Sequence, residues 1–312
     1  MNVSGTKANP DWIAADWGST SLRVWAIASD GTVIDHAASD KGMGQITKSD
    51  YEPALLELVG SWLEGLAGPV PVIICGMAGA RQGWKEAAYR RVPCAPVAGD
   101  ALTEVETSDP RLSVRIVPGL SQSHPQDVIR GEETQLAGFL GETGLDDAVI
   151  CLPGTHSKWV SLEGGDVSHF LTVMTGELFA LIGRHSILRH SVGEGNKGEP
   201  GPAFLEAVSR GIGNPQNLTT NLFSIRARSL LEDATTEDAG DMLSGLLIGA
   251  ELAACRPFWE GREVHLVGAG GLVARYAAAL KQIGATAIIE DGSGLTLAGL
   301  KQVRAGMKET SR

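Results

Sequence analysis

Two apolar runs joined by a short polar turn constrain the fold of this chain more than any other stretch. The runs cover residues 12–15 and 22–28, and the turn between them begins with the letters DWGSTS at Asp16. Strand-forming residues on both sides of a turn rich in Gly and Ser predict an antiparallel hairpin. Gly18 allows close backbone approach, and Ser19, Thr20 and Ser21 offer their hydroxyls and backbone N–H groups to an anion.

An anion bound in that turn would be repelled by Asp16 unless a divalent cation, held through water, neutralised both partners. The hairpin is therefore predicted to be a metal and phosphate site, with Asp16 as its metal-binding residue. Ordinary turn chemistry at a surface hairpin explains the same residues about equally well.

A second unit of the same kind begins at residue 148. An apolar run over residues 148–152 breaks at the turn PGTHSKW, residues 153–159, and resumes over residues 160–162. Such a turn can hold the β- and γ-phosphates of a nucleotide through amides, a hydroxyl and an ammonium group. The residues that would supply these groups are Gly154, Thr155 and Lys158. Two strand-turn-strand units predict two domains of similar plan.

The order of the remaining elements predicts an α/β fold of two domains. Apolar residues at helical spacing over residues 54–66 predict a helix, and the apolar runs at residues 71–75 and 113–117 predict strands after it. Strands and helices that alternate along the chain are typical of an α/β fold. A length of 312 residues exceeds the usual size of one hydrophobic core, so two domains with a ligand cleft between them are expected. The polar stretch at residues 121–127 is the best linker candidate. The expected domains are residues 1–122 and residues 123–312.

Charge and composition exclude several classes of partner. A formal net charge of -11 and a pI near 5.1 argue against nucleic acid, which requires a basic face. The first ten residues carry no signal-peptide pattern, and no apolar run is long enough to span a membrane, so a cytoplasmic protein without a membrane partner is expected. The four cysteines form no CxxC pair and are expected to be reduced. A homodimer is compatible with these features.

Two adjacent carboxylates, Glu132 and Glu133, follow the expected linker at the start of a predicted helix. Phosphoryl transfer to a hydroxyl needs a carboxylate that accepts the hydroxyl proton and aligns the oxygen. Acidic residues also stabilise the first turn of any helix, and this second explanation is the stronger one for Glu133. Arg130 is a candidate for binding a substrate carboxylate, because a guanidinium binds that group through two hydrogen bonds. A solvated surface arginine is the alternative.

A glycine-rich stretch after residue 267 imitates a dinucleotide-binding fingerprint. It joins a predicted strand to a predicted helix, and an acid follows about 20 residues later. Val273 occupies the position of the third glycine, however, and too little chain follows for a doubly wound domain, which argues against a nicotinamide-dependent dehydrogenase. The glycines are expected to let the backbone approach a flat or phosphorylated ligand, or to form a plain strand-helix turn. They are Gly268, Gly270 and Gly271.

Loops elsewhere supply further candidates. Arg81 and Trp84 follow a glycine-rich stretch and are expected either to clamp a polyhydroxy acid by charge and stacking or to be an exposed loop pair. Residues 193–202, with four glycines and two prolines, are expected to form a loop or lid.

Five sequence blocks resemble, in the same order, the 2-dehydro-3-deoxygalactonokinase family of the actin, hexokinase and Hsp70 superfamily. The resemblance spans nearly the whole chain, and the blocks are residues 14–23, 130–135, 152–159, 172–177 and 244–251. It implies two α/β domains of actin/hexokinase-like (ribonuclease H-like) architecture with an interdomain cleft. It also implies transfer of the ATP γ-phosphate to the 6-hydroxyl of 2-dehydro-3-deoxy-D-galactonate, with Mg²⁺, in galactonate catabolism. A kinase for the gluconate epimer or another sugar acid, and a non-catalytic sugar-acid sensor, are the alternatives.

The resemblance also implies roles for individual residues. Residues 1–122 would be an ATPase domain with the first phosphate motif and the sugar-acid loops, and residues 123–312 would carry the second phosphate motif and the adenosine motif. Asp16 would anchor Mg²⁺ through water. The catalytic acid, an Asp in related kinases, corresponds to Glu132, with Glu133 and Asp16 as alternatives. The sugar acid would contact Gly42, Met43, Arg81, Trp84, Arg130, Thr175 and Glu177. ATP would contact Gly18, Ser19, Thr20, Gly154, Thr155, Lys158, Gly268, Gly270 and Gly271.

Overall fold

The computed structural model describes residues 9–192, 199–232 and 235–310, and the chain divides into two compact units. Unit 1 is formed by residues up to Leu145 and from Ser293 onwards, and unit 2 is Asp146–Gly292. The boundary expected after residue 122 therefore falls inside unit 1.

Unit 1 contains most of the strands. They are β1 (Trp12–Trp17), β2 (Leu22–Ile27), β3 (Val33–Ser39), β4 (Val70–Gly76), β5 (Tyr89–Arg91), β6 (Thr103–Val105), β7 (Leu112–Ile116), β8 (Gly119–Ser123) and β9 (Gln126–Ile129). Its first two α-helices are α1 (Tyr51–Val59) and α2 (Glu132–Thr143).

In its described residues, unit 2 contains five strands and most of the helices. The strands are β10 (Ala148–Leu152), β11 (Ser157–Glu163), β12 (Asp166–Val173), β13 (Val264–Val267) and β14 (Ala287–Glu290). The helices are α3 (Thr175–His185), α4 (Arg189–Val192), α5 (Pro202–Gly213), α6 (Leu218–Leu231), α7 (Thr236–Ala254), α8 (Arg256–Trp259) and α9 (Gly270–Gln282). The last helix, α10 (Gly292–Thr310), begins at the end of unit 2 and belongs almost entirely to unit 1.

Unit 1 is built on a six-stranded sheet with the order β3-β2-β1-β4-β7-β6. Strand β1 pairs antiparallel with β2 and parallel with β4, and β4 pairs parallel with β7. Side chains of β1 alternate between the two faces of the sheet. Ile13 and Trp17 pack in one core with α1, whereas Trp12 packs in another core with Leu300 and Val303 of α10. Because both faces are covered, β1 is held at the centre of the unit.

Unit 2 is built on a five-stranded sheet with the order β12-β11-β10-β13-β14. Strand β10 pairs antiparallel with β11 and parallel with β13, which pairs parallel with β14. One face of this sheet packs on α5, α7 and α9 through residues such as Cys151, Val208, Leu252 and Tyr276. The order and strand directions repeat those of β3-β2-β1-β4-β7 in unit 1, in agreement with the prediction of two units of similar plan.

The linker predicted at residues 121–127 is wrong. These residues belong to the antiparallel pair β8 and β9, which forms a three-stranded sheet with β5. Pro125 lies between the two strands, where no ladder hydrogen bond is required of it. The polar letters therefore mark a hairpin inside unit 1. Of the loop expected over residues 193–202, residues 193–198 lie outside the described residues.

In the part of the chain that the structure describes, no helix combines the length and the apolar composition needed to cross a bilayer.

Candidate active site

The carboxyl ends of β1 and β4 hold the first acidic group of the site. Asp16 is the penultimate residue of β1 and lies in register with Cys75 of β4 and Arg23 of β2. The Arg23 guanidinium donates hydrogen bonds to the Asp16 carboxylate and to the Ser293 hydroxyl of α10. The Cys75 thiol donates to Asp16 Oδ1 at 3.8 Å. Burial, together with the nearby Asp16 and Glu133 carboxyls, raises the pKa of this thiol well above its usual value, so it remains protonated.

The turn between β1 and β2 packs against the loop that follows β3. Backbone N–H groups of Met43 and Gly44 donate to the carbonyl oxygens of Gly18 and Ser19 at 3.0 and 2.9 Å. The Trp17 indole N–H donates to the Lys41 carbonyl oxygen at 2.9 Å. The structure thus brings together residues predicted from the sequence to contact ATP and residues predicted to contact the sugar acid. They are Gly18, Ser19, Thr20, Gly42 and Met43.

The start of α2 lies against the ends of the same two strands. Gly131 and Gly76 have φ values of 103° and 88°, which L side chains rarely adopt. A Cβ on Gly131 would lie 3.3 Å from the Gly76 Cα, and a Cβ on Gly76 would lie 2.6 Å from the Trp17 carbonyl oxygen. Because Gly131 and Gly76 have no side chains, their backbones can pack closely. This close packing places Glu132 and Glu133, the first residues of α2, beside the ends of β1 and β4.

The two glutamates of α2 have different environments. Glu133 is fully buried, and its carboxyl accepts the Gly131 N–H at 2.6 Å and the Thr134 hydroxyl at 3.3 Å. Burial and the nearby Glu132 raise the pKa of Glu133 to about 8, so Glu133 is mainly protonated at neutral pH. Glu132 is partly buried and accepts the Arg130 backbone N–H at 3.0 Å.

Arg130 is a buried guanidinium with incomplete hydrogen bonding. Its side chain lies over the Tyr89 ring, 4.4 Å from the ring centroid, and Nη2 donates to the Ala87 carbonyl oxygen at 2.7 Å. Nε and Nη1 are buried and have no hydrogen-bond partner among the described residues. Because an unpaired buried donor costs about 1–3 kcal/mol, this group is suited to a ligand that supplies acceptors. The alternative expectation, a solvated surface arginine, is therefore wrong for Arg130, because its side chain is buried.

The structure does not bring Arg81 and Trp84 together. The Arg81 side chain is 80% exposed and pairs with Glu86 at 3.2 Å. The Trp84 ring is buried and packs on the rings of Trp17 and Tyr51, with centroids 6.1 and 6.0 Å away. Trp84 is therefore a core residue of unit 1, and its ring has no exposed face of the kind expected for stacking on a sugar acid.

In unit 2, the turn between β10 and β11 packs against the start of α3. The Glu177 N–H donates to the Thr155 carbonyl oxygen at 2.9 Å, and a Cβ on Gly176 would overlap the Gly154 carbonyl oxygen. Glu177 also contacts the His156 ring at 2.5 Å. The structure thus groups four predicted residues from two sequence blocks, namely Gly154, Thr155, Thr175 and Glu177.

Lys158 does not extend from this turn into solvent. It is buried, and its Nζ donates to the His156 carbonyl oxygen at 2.8 Å. The ammonium group therefore stabilises the turn from within, whereas Thr155 is exposed on it.

The predicted adenosine glycines connect β13 to α9. The Gly268 N–H donates to the Glu290 carbonyl oxygen at 3.0 Å, which ties the turn to β14. Gly270 has a φ of 75°, and a Cβ there would meet nothing within 4 Å. Ala269 is the N-cap residue of α9 and provides no side-chain cap. An exposed helix N-terminus at the carboxyl end of a parallel strand is suited to an anionic or flat ligand.

Sequence reasoning missed Glu251 of α7. It is 2% exposed and accepts hydrogen bonds from Trp159, Thr175 and Tyr276. Burial raises the pKa of Glu251 against the effect of these donors. The available signal was a lone acid within the apolar stretch of residues 242–255, a position where a carboxyl must find buried donors.

Among the described residues, no group of three or more His, Cys, Asp or Glu side chains is arranged to hold a metal ion. Asp16 is the carboxylate at the β1 end and is engaged by Arg23. A cation here would depend on a ligand for most of its coordination shell.

The repeated strand order defines an α/β protein of actin/hexokinase-like architecture. An activator of the 2-hydroxyisocaproyl-CoA dehydratase from Clostridium difficile, whose structure was solved with bound ADPNP, has the same fold, with a TM-score of 0.50 and 15% identity over 96% of this chain and 97% of that chain. Residues 16–303 match the sequence model of the family described as 2-keto-3-deoxy-galactonokinase. The chain belongs to that family.

Named relatives agree with this assignment. The "Probable 2-dehydro-3-deoxygalactonokinase DgoK1" of Rhizobium meliloti (strain 1021) is 44% identical, covering 93% of this chain and 95% of the relative. The 2-dehydro-3-deoxygalactonokinase of Escherichia coli (strain K12) is 34% identical, covering 94% and 97%. The crystal structure of "a putative 2-dehydro-3-deoxygalactonokinase protein" from Sinorhizobium meliloti has a TM-score of 0.87 and 42% identity over 94% of this chain and 98% of that chain. The family predicted from the five sequence blocks is confirmed, and with it the class of sugar-acid kinase.

Proposed function

We propose that the protein transfers the γ-phosphoryl group of ATP to the 6-hydroxyl of 2-keto-3-deoxy-galactonate in galactonate catabolism. The observation that carries the proposal is the family match over residues 16–303, together with 44% and 34% identity to relatives named for this activity. The two units supply the kinds of group that such a transfer requires, namely carboxylates at a strand end and exposed turns for phosphates.

Glu132 is the general base in this proposal. A general base must accept a proton at the operating pH. Glu133 is a poor base at neutral pH, because its raised pKa of about 8 keeps it mainly protonated and its side chain is fully buried. Asp16 is paired with Arg23. Glu132 is the partly buried carboxylate at the same helix start, which supports its choice among the three candidates.

ATP would bring Mg²⁺ with it, since Mg²⁺ at kinase sites is held by one or two carboxylates plus substrate phosphates. The donor set fits this case, because Asp16 offers one carboxylate at the β1 end and no cluster of three metal ligands occurs in the described residues. The ion would neutralise charge on the transferred phosphoryl group. Thr155 and the Gly154 turn would hold the terminal phosphates, and the α9 start at Gly270 would approach the adenosine.

Arg130 would bind the substrate carboxylate. Two of its buried nitrogens, Nε and Nη1, have no hydrogen-bond partner within the described ranges, and this supports the role, since a carboxylate supplies acceptors and opposite charge. The loop with Gly42 and Met43, packed on the β1–β2 turn, would line the sugar-acid side of the site. Arg81 would contribute through charge alone.

The test is ADP release by the wild type and by Glu132→Gln with ATP, Mg²⁺ and 2-keto-3-deoxy-galactonate, alongside calorimetric binding of the sugar acid. We expect the turnover number of Glu132→Gln to fall by roughly two to four decades with binding retained, because proton acceptance is lost while shape is kept. Glu142→Gln is the matched control, since Glu142 is an exposed glutamate at the other end of α2 and should leave turnover unchanged.

Three results would contradict parts of the proposal. Sugar-acid binding by the wild type without acid-dependent ADP release would indicate a sensor. Faster turnover with the gluconate epimer would show that the gluconate-derived acid, and not the galactonate-derived one, is the preferred substrate. A nearly unchanged rate for Glu132→Gln would assign Glu132 to helix capping and direct attention to Asp16.

A further inference from the structure

Glu251 joins four elements of unit 2 through one buried carboxyl. Its Oε1 accepts the Trp159 indole N–H of β11 at 2.8 Å, and its Oε2 accepts the Tyr276 hydroxyl of α9 at 2.6 Å and the Thr175 hydroxyl of α3. The Ser157 hydroxyl, at the first residue of β11, lies 2.7 Å from the Tyr276 hydroxyl. Every donor in this cluster is itself buried. Leaving any of these donors unpaired would cost free energy, so the cluster fixes the relative positions of the elements that carry it.

Two of the elements carry candidate nucleotide-binding turns. Thr175 is the first residue of α3, and the next residue, Gly176, packs directly on the Gly154 carbonyl oxygen of the β10–β11 turn. Tyr276 lies in α9 less than two helical turns after Gly270. The carboxyl therefore connects the proposed phosphate turn to the helix start proposed to approach adenosine.

We propose that Glu251 is a positioning residue for the nucleotide, which it affects through Thr175 and Tyr276 without touching the ligand. This inference rests on the proposed function, because it assumes that the two turns of unit 2 bind ATP. It assigns the Thr175 hydroxyl to support of the turn, although the sequence predicted that Thr175 would contact the sugar acid. A misplacement of about 1 Å caused by a mutation away from the reacting atoms can lower the reaction rate by about a hundredfold.

The test compares Mg-ADP binding by calorimetry, at a temperature well below unfolding, for the wild type, Glu251→Gln, Tyr276→Phe and Thr175→Val. We expect Kd for Mg-ADP to rise about tenfold in Tyr276→Phe and Thr175→Val. In Glu251→Gln it should rise by roughly tenfold to a hundredfold, because several buried donors lose their acceptor at once. Thr175→Ser keeps the hydroxyl and should bind within about twofold of the wild type. Kd for 2-keto-3-deoxy-galactonate should be unchanged in every variant.

Tyr51→Phe is the matched control for the loss of a buried hydroxyl. Tyr51 is fully buried in unit 1, and its hydroxyl has no hydrogen-bond partner among the described residues. Its loss should leave Mg-ADP binding unchanged.

The outcomes separate this inference from the proposed function. Wild-type Mg-ADP affinity in Tyr276→Phe and Thr175→Val would overturn the inference and leave the kinase assignment standing. Equal weakening of Mg-ADP and sugar-acid binding would indicate a general structural role and would also overturn it. Failure of the wild type itself to bind Mg-ADP would overturn the proposed nucleotide site and the inference together.

Discussion

The two units share a strand order and differ in the chemistry at the same point of their sheets. In unit 1 the penultimate residue of the central strand is Asp16, paired in register with Arg23. In unit 2 the corresponding residue of β10 is Cys151, paired in register with Trp159. Asp16 is partly exposed, whereas Cys151 is fully buried.

The turns that follow the two central strands differ in a related way. The turn of unit 1 packs on a loop through backbone hydrogen bonds from Met43 and Gly44. The turn of unit 2 packs on the start of α3, and Thr155 is exposed on it. The repeated sheet therefore provides two equivalent strand ends, and a single side chain at the penultimate position, Asp16 or Cys151, decides whether that position offers a carboxylate. Fold and chemistry are specified separately here.

Replacing Asp16, the acid at the end of the central strand of unit 1, should produce the largest effect on turnover. We expect Asp16→Asn to lower turnover by about two to three decades, because the carboxylate proposed to act on Mg²⁺ through water loses its charge while its size is kept. Cys151→Ala, the change at the corresponding position of unit 2, should leave turnover within about twofold. The measurement is steady-state ADP release at saturating sugar acid. Equal losses in the two variants would show that the position matters for packing in both units and not for charge in one.

The units also differ in continuity: unit 2 is one stretch of chain, whereas unit 1 is completed by α10, which follows unit 2. A measurement of stability can test how much the packing of α10 contributes. The last helix, α10, follows β14 of unit 2 but packs on α2 of unit 1, where a Cβ on Gly299 would overlap the Thr134 carbonyl oxygen. We expect Gly299→Ala to lower the free energy of unfolding by about 3 kcal/mol, because the two helices must separate. Urea unfolding at neutral pH measures the change.

Gly306→Ala is the control within the same helix. A Cβ at residue 306 would lie 3.6 Å from Gly99, an ordinary contact distance. Alanine should therefore be neutral there or stabilise the protein by up to about 1 kcal/mol through helix propensity. A neutral Gly299→Ala would mean that α10 can move away from α2 without loss of other contacts.

Local features of the fold could be predicted from the sequence, whereas long-range ones could not. The β1–β2 hairpin and the glycine turn before α9 are specified by residues close together in the chain, and both occur where they were expected. The return of α10 to unit 1 depends on contacts such as Gly299 with Thr134, which are separated by more than half of the chain. The division expected after residue 122 differs from that of the two compact units for that reason, and because a polar hairpin at residues 121–127 resembled a linker.

The candidate site shows the same limit. The sequence predicted several blocks as candidates for the site, and most of their residues lie at three strand ends and at the start of α2. It could not predict that the Trp84 ring would be buried on Tyr51, since an aromatic residue after a glycine loop is compatible with either environment. The partners of Glu251 come from β11, α3 and α9, and no local pattern brings them together.

The two buried glutamates give the smallest and most specific contrast between the units. Glu133 of unit 1 has its pKa raised to about 8 by burial and by the neighbouring Glu132, whereas the pKa of Glu251 in unit 2 is raised by burial against the effect of four side-chain hydrogen bonds. Between pH 4.5, the ordinary pKa of a glutamate, and about pH 8, the folded protein holds a proton on Glu133 that the unfolded chain releases. This contribution to stability is therefore complete below pH 4.5 and is lost as pH rises to about 8.

Urea unfolding at mildly acidic and mildly alkaline pH should reveal this contribution. We expect the wild type to lose about 1–2 kcal/mol more than Glu133→Gln over two pH units between those limits, since glutamine cannot ionise but keeps an acceptor for the Gly131 N–H. Glu132→Gln should reduce the pH dependence in part, because it removes the neighbouring charge and leaves the burial. If Glu132→Gln and the wild type have the same pH dependence, burial alone raises the pKa of Glu133, and the two buried glutamates are more alike than the structure indicates.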